Sequence, residues 1–265
     1  MTTVLHITDT HIVPDGALVS GRLETGAPLD RLVQRFLDIR DQIGMIDAVL
    51  VSGDLSDDGS DESYVRFKEI MAPLGLPLYV IPGNHDAREP MRAAFLGHGY
   101  FPETGKLNWH RRIGDIHLVG LDTLIEGEGG GTLDAETLSL LAGALTAAGQ
   151  TPVLLALHHP PFASGIAFMD AIGLKNRAAL REVLSDHEGE VRIVCGHIHS
   201  MMVATVGRHV AVSAPAPCSS FAHDTRADAP IGFMDMPDGC LVHKWDNGFQ
   251  TIRIGPESGA GPFPF

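Results

Sequence analysis

Leu78-Tyr79-Val80-Ile81-Pro82-Gly83-Asn84-His85-Asp86 is the stretch whose reading decides the fold. Four β-prone residues run into a Pro-Gly stop, and three side chains able to bind a cation or carry a proton follow at once. The same arrangement recurs on both sides of it. Upstream, Ala48–Val51 closes on Gly53-Asp54, and Val4–Ile7 closes on Thr8-Asp9-Thr10-His11. Downstream, Val153–Leu157 runs into His158-His159-Pro160, and Val191–Val194 into Gly196-His197-Ile198-His199. A further strand is expected at Ile116–Leu121. Between these runs, apolar residues recur at helical spacing: Leu29, Leu32, Val33, Phe36 and Leu37, then Tyr64, Phe67, Ile70 and Met71. Further helices are expected over 133–147, behind the Gly-rich loop 127–131, and over 176–187.

Strand–helix alternation predicts an α/β fold with a parallel sheet covered by helices. After residue 199 the pattern turns to β alone, with hairpin turns expected at Gly207-Arg208 and Asn247-Gly248. One domain over residues 1–250 is expected, followed by an extended Gly/Pro/Phe-rich tail over 251–265.

Five strand ends therefore deliver polar clusters to one rim, the edge at which open α/β sheets bind ligands. Asp-x-His and His-x-His place two side chains on the same side of a loop. Oxygen donors mixed with imidazole, without thiolate, suit Mn, Fe, Co or Zn. Seven donors exceed what one tetrahedral ion takes and match two ions sharing a carboxylate. Two ions ~3.5–4 Å apart clamp both oxygens of an in-line phosphoryl displacement. A single such cluster would be an ordinary turn, since loops are rich in Gly and Asp; five at successive strand ends are not.

Composition narrows the partners. Nineteen Lys and Arg stand against 33 Asp and Glu, a formal charge of −14. Such a surface disfavours nucleic-acid polymers and anionic membranes, while bound cations would reverse the sign locally for a small anion. No run of about 18 apolar residues appears, and the first strand begins where a signal peptide would lie. Three cysteines, Cys195, Cys218 and Cys240, match no zinc spacing. A cytoplasmic protein with free thiols is expected.

In order and completeness, Asp9-Thr10-His11, Gly53-Asp54, Gly83-Asn84-His85-Asp86, His158-His159 and Gly196-His197-Ile198-His199 resemble the motif set of the calcineurin-like metallophosphoesterases. Within them the chain is similar to bacterial class III cyclic-nucleotide phosphodiesterases and their glycerophosphodiesterase relatives. Gly21, Glu24-Thr25, Leu29, Pro160-Pro161, Met169-Asp170, Leu174, Asn176 and Gly239–His243 add weaker support. The resemblance implies two packed mixed β-sheets flanked by helices. It implies that Asp9, His11 and His199 hold one divalent or trivalent ion, that Asn84, His158 and His197 hold the other, and that Asp54 bridges them. It further implies that His85 is the general acid or a donor to the substrate phosphate, oriented by Asp86.

The expected activity is metal-dependent hydrolysis of small phosphodiesters, cyclic nucleotides or glycerophosphodiesters, by hydroxide generated at two metals. The rivals are a phosphomonoesterase or protein phosphatase of the same chemistry, and a metal-binding scaffold without catalysis. His159 reads as loop packing beside the site, His6 as packed, and His223 as a possible pocket wall in the irregular segment 214–230. His98, His110, His117, His187, His209 and His243 read as structural or exposed, and Asp122 lacks a partner motif. Sheet edges in the β-rich C-terminal part suggest a homodimer or higher oligomer.

Overall fold

The structure, a computed structural model, describes residues 1–261, 263 and 264. Among the described residues, eleven strands form two sheets. The first takes β1 (Thr2–Ile7), β2 (Ala48–Val51), β3 (Leu78–Val80), β10 (Cys240–Trp245) and β11 (Phe249–Ile254), in the order β11-β10-β1-β2-β3. The second takes β4 (Trp109–Ile113), β5 (Ile116–Leu121), β6 (Val153–Leu157), β7 (Val191–Cys195), β8 (Met202–Val206) and β9 (His209–Ser213), in the order β4-β5-β6-β7-β9-β8. The strands that end in polar clusters pair in parallel, β1 with β2 with β3 and β5 with β6 with β7 with β9. Hairpin partners β10, β11, β4 and β8 add antiparallel edges, so both sheets are mixed, as expected.

Period-two alternation sorts the side chains into layers. On β1, Leu5 and Ile7 pack under α1 (Gly26–Ile43) and α2 (Asp61–Met71), with Leu29, Phe36, Tyr64 and Phe67. On the second sheet, Leu155 and Leu157 pack under α4 (Ala135–Ala148) and α6 (Arg177–Ser185), against Leu141, Leu145, Leu180 and Leu184. The alternate residues face the other sheet: Val4, Leu50, Ile81, Trp109, Leu118, Leu154 and Val194 form one core between the sheets. The result is four layers, helix–sheet–sheet–helix, with the central strands β1, β2 and β6 buried on both faces.

Three elements depart from the sequence reading. Helix α3 (Arg88–Ala94) and strand β4 were not anticipated, being short and without clear periodicity. A second short helix, α5 (Ala167–Ala171), was not anticipated either. Strand β11 also runs four residues into the expected tail, because Thr251–Ile254 continue the ladder with β10 opposite Cys240–His243.

His6 and His243 face into the layer between the sheets, where both are buried. Their hydrogen bonds form a chain: Ser52 Oγ to His6 Nε2 at 2.7 Å, His6 Nδ1 to His243 Nε2 at 3.1 Å, and His243 Nδ1 to Thr251 Oγ1 at 3.0 Å. Arg192, from the opposite sheet, donates to the same Thr251 hydroxyl at 2.7 Å. With both imidazoles neutral, each nitrogen has one partner; a second proton would set two N–H groups against each other. Burial pushes His6 down to about 3, and burial with the neighbouring His6 and Arg192 charges pushes His243 well below its ordinary value.

A histidine whose folded-state pKa is depressed binds fewer protons folded than unfolded between those two values. Stability from His6 is therefore complete above about 6.5 and lost as pH falls toward 3. In metal-free protein, acidification from pH 7.5 to 5 is expected to cost about 2 kcal/mol at this site. A His6→Asn variant should start less stable but lose correspondingly less. Equal pH slopes in urea unfolding of the two proteins would contradict a neutral buried pair.

Candidate metal centre

The polar loops leave the sheets as an extension of their ladders. Beyond β1 and β2 the chains stay bonded, Asp9 N to Gly53 O at 3.0 Å, His11 N to Asp54 O at 2.9 Å and Ile12 N to Leu55 O at 2.9 Å. Beyond β6 and β7, Gly196 N bonds His158 O at 3.0 Å. The two sheets are tied at this rim: the Asp9 carboxylate accepts the His197 amide at 3.0 Å. Seven non-glycine residues among those described have positive φ, and five of them are Asp9, His11, Asp54, His197 and His199. Asp and His tolerate the left-handed region better than most residues, yet such positions concentrate where function demands them.

Close approach accounts for two of the glycines. A Cβ on Gly83 would overlap the Asp54 carboxylate, and one on Gly196 would overlap Thr8 Oγ1 and crowd the Asp9 carboxylate. Each glycine lets one loop lie directly against a carboxylate presented by another.

The seven residues converge. Asp9, His11 and His199 present donor atoms within 4.8 Å of one another, as do Asp9, Asp54 and His158. His11 Nε2 lies 3.1 Å from His199 Nε2, and His199 Nε2 lies 3.4 Å from Asp9 Oδ1. On the other side, Asn84 Oδ1 lies 3.2 Å from His158 Nε2 and 3.0 Å from His197 Nδ1. Asp54 Oδ2 stands between the groups, 3.6 Å from His11 Nε2 and 3.3 Å from His158 Nε2. Three rings are oriented from behind through Nδ1: His158 by Ser52 O at 2.8 Å, His11 by Asp57 Oδ1 at 2.9 Å and His199 by Ser219 Oγ at 2.9 Å. A partner on Nδ1 leaves the Nε2 lone pair toward the centre, the arrangement that orients metal-binding histidines. Two imidazole nitrogens facing each other beside two carboxylates have no good neutral hydrogen-bonding solution. This donor set fits two transition-metal ions.

Electrostatics carry the same message. Burial opposes charge throughout, but the Asp54 and Asp9 carboxylates outweigh it at His158 and hold that ring at about 9. In return, and against burial, His158, His85 and His11 hold Asp54 well below the carboxylate range, and His199 brings Asp9 down to about 2. The buried centre is thus two carboxylates balanced by cationic charge, which metal ions supply without protons.

The residues read as catalytic divide differently from expectation. His85 lines the cavity beside the cage, its ring centroid 4.7 Å from that of His11. Asp86, expected to orient it, is turned away. Its carboxylate accepts the amides of Gly83, Leu55 and Ser56 and the Tyr64 hydroxyl at 2.9–3.2 Å. Adjacent residues in a tight turn point in different directions, so sequence adjacency misleads here. The carboxylate facing His85 is Asp57, with Oδ1 3.3 Å and its carbonyl oxygen 3.1 Å from Nδ1. Asp57 thus holds both His11 and His85; its spacing three residues after Asp54 was the available signal. Ser219, behind His199, carried none.

His159 uses both nitrogens, donating to Gly129 O at 3.1 Å and bonding Thr123 Oγ1 at 2.8 Å, so it anchors the Gly-rich loop. His223 is exposed and is not among the cavity-lining residues. Asp122 pairs with Arg88 at 2.7 Å, away from the cage.

Comparison with known proteins agrees with this geometry. The calcineurin-like phosphoesterase family profile matches residues 2–201. The chain belongs to that family. It is 31% identical over 265 residues to a probable glycerophosphodiester phosphodiesterase GpdQ of Arcobacter nitrofigilis, covering 99% of this chain and 96% of that one. It is 35% identical over 220 residues to the 3′,5′-cyclic adenosine monophosphate phosphodiesterase CpdA of Pseudomonas aeruginosa, covering 83% and 77%. It is 32% identical over 269 residues to a cAMP/cGMP dual specificity phosphodiesterase of Mycobacterium tuberculosis, covering 98% and 82%. The fold matches a dimetal phosphatase from Danio rerio with a TM-score of 0.70 at 15% identity, covering 97% and 96% of the two chains.

Gly83 gives this family member a test of geometry that leaves every donor in place. Gly83→Ala is expected to displace Asp54 and to cost at least half of the bound metal, measured by elemental analysis after dialysis, while the protein stays folded. Full metal content in that variant would mean that Asp54 does not need the position described.

Proposed function

We propose that the chain hydrolyses small phosphodiesters at a two-metal centre in which Asp9, His11 and His199 hold one ion, Asn84, His158 and His197 the other, and Asp54 bridges. The observation that carries this reading is the Asp54 carboxylate standing within 3.6 Å of a histidine from each donor group. Relatives named as phosphodiesterases over most of the chain support the substrate class. So does the cavity beside the cage, whose lining has neither Lys nor Arg. A phosphomonoester carries a second charge that would call for such a cation, whereas a diester's single charge is met at the metals.

Bound there, the ions supply charge neutralisation at phosphorus and a nucleophile drawn from water at neutral pH. The chain's own residues do the rest. Asp54 and Asp9 are fixed by backbone amides of His85 at 2.9 Å and His197 at 3.0 Å, so the carboxylates do not reorganise on binding. With Asp57 on Nδ1, His85 keeps Nε2 for the substrate and protonates the departing alkoxide there. Its side chain is 40% exposed, which leaves it open to reload from solvent. The N/O donor set supports Mn, Fe, Co or Zn as the resident ions. The free, buried Cys195, Cys218 and Cys240 support a reducing, cytoplasmic setting. No helix among the described residues is long and apolar enough to cross a membrane. The unpaired outer edge of β8, with Val203 exposed, supports a homo-oligomer.

Positioned general acids contribute ~10²–10⁴-fold, most for poor leaving groups. His85→Ala should therefore keep its metals and lose roughly that factor on alkyl diesters, but far less on aryl diesters, whose phenolates leave unaided. Asp57→Asn should show the same pattern more weakly. Equal losses on both ester types would assign His85 to phosphate positioning; loss of metal would make it a ligand. Turnover of phosphomonoesters alone would overturn the diesterase reading.

A further inference from the structure

A third histidine stands beside two of the cage and is committed elsewhere. His159 is fully buried, and it has a nitrogen within 4.8 Å of donor atoms on His158 and His197. Its ring lies against the His197 ring, with centroids 4.6 Å apart. Proximity alone would make it a ligand, yet both of its nitrogens are taken. The Gly129 carbonyl, 3.1 Å from Nε2, can only accept, so Nε2 carries the proton. Nδ1 then accepts the Thr123 hydroxyl at 2.8 Å.

Those two partners belong to one loop. Thr132 N bonds Thr123 O at 2.9 Å, which brings the ends of residues 123–132 together. Gly127, Gly129, Gly130 and Gly131 lie within that loop, so its backbone has unusual freedom to lose. His159 fills its interior: a Cβ on Gly131 would overlap the imidazole ring. The loop in turn holds part of the cavity beside the cage. Gly131 N bonds Gly173 O at 3.3 Å and Lys175 N bonds Gly131 O at 2.9 Å, a parallel bridge that ties down the segment after α5. Phe168, Met169 and Ile172, just ahead of that bridge, line the cavity, whereas His159 does not.

Resting on the phosphodiesterase reading, we infer that His159 is a positioning residue that sets the shape of the cavity, and with it which ester groups fit, without ligating metal or touching substrate. The path runs from His159 to Gly129 and Thr123, through Gly131 to residues 173–175, and so to Ile172. An apolar side chain of similar size would leave a buried hydroxyl and a buried carbonyl without their partner and free a glycine-rich loop. A side chain with one donor and one acceptor would not. The chemistry at phosphorus stays with the cage and His85; His159 decides how firmly the wall beside them stands.

The test compares Mn-loaded wild type with His159→Leu, which removes both bonds, Thr123→Val, which removes one, and His159→Gln, which keeps a donor and an acceptor. Metal content is measured for each. Two lost hydrogen bonds predict hydrogen exchange roughly 5- to 100-fold faster at the Gly131, Thr132 and Lys175 amides of His159→Leu. Thr123→Val should show a smaller factor and His159→Gln nearly none. Phenyl p-nitrophenyl phosphate and methyl p-nitrophenyl phosphate share a leaving group and differ in the group left in the cavity. His159→Leu should raise KM several-fold for the phenyl ester, with kcat, the methyl-ester KM and both ions unchanged, and His159→Gln should restore the wild-type value. Thr123→Val, expected to move the same way, decides the matter if His159→Leu does not fold. Equal KM changes on the two esters, loss of metal, or unchanged exchange in the bond-removing variants would overturn this role and leave the phosphodiesterase reading standing. Failure of the two-metal wild type on both esters would sink that reading, and the role with it.

Discussion

The Asp9 carboxylate accepting the His197 amide is the contact on which the rest of the site depends. It joins the loop after β1 in one sheet to the loop after β7 in the other, beside the bond between His158 Nδ1 and Ser52 O at 2.8 Å that links the same two sheets. Asp9 and Asp54 are each spoken for by a backbone amide from a neighbouring loop, His197 and His85. Two carboxylates can therefore be buried close together without collapsing onto each other or turning to solvent. A buried unpaired charge is costly, so the arrangement demands cationic charge at its centre, and the inward-facing imidazole nitrogens show where it belongs.

The backbone follows from that demand. Five cage residues sit at positive φ, and the loops that carry them bend so sharply that Gly83 and Gly196 have no room for a side chain. Such conformations persist only when surrounding structure over-determines them. Here that structure is the parallel ladders continuing past β1 and β2, the four bonds accepted by Asp86, and the two packed helix layers behind them. The stable part of the fold is thus spent on holding a rim whose local geometry is unfavourable.

Much of this was legible in the sequence because strand ends are local. A run such as Ala48–Val51 followed by Gly53-Asp54 announces both the strand and the place where its cargo emerges. The parallel strands, the helices of clear periodicity and the convergence of the seven polar residues on one rim followed from that rule; the division into two mixed sheets did not. What stayed hidden depends on direction and on distance along the chain. His85 and Asp86 are neighbours in sequence but face opposite ways, and it is Asp57, 28 residues away, that holds His85. The His6–His243 pair spans 237 residues, and neither residue has a local pattern that marks a buried polar chain. The cavity beside the cage gathers Phe168 from the five-residue helix α5 and Phe221 and Phe233 from an irregular segment, too short or too irregular for any periodicity to encode.

Anomalous diffraction at the manganese edge, from crystals grown with Mn, addresses the centre most directly. Two peaks are expected on either side of the Asp54 carboxylate, ~3.5–4 Å apart, one among Asp9, His11 and His199 and the other among Asn84, His158 and His197. A single peak, or two that do not share Asp54, would contradict the assignment of these seven residues to one binuclear site.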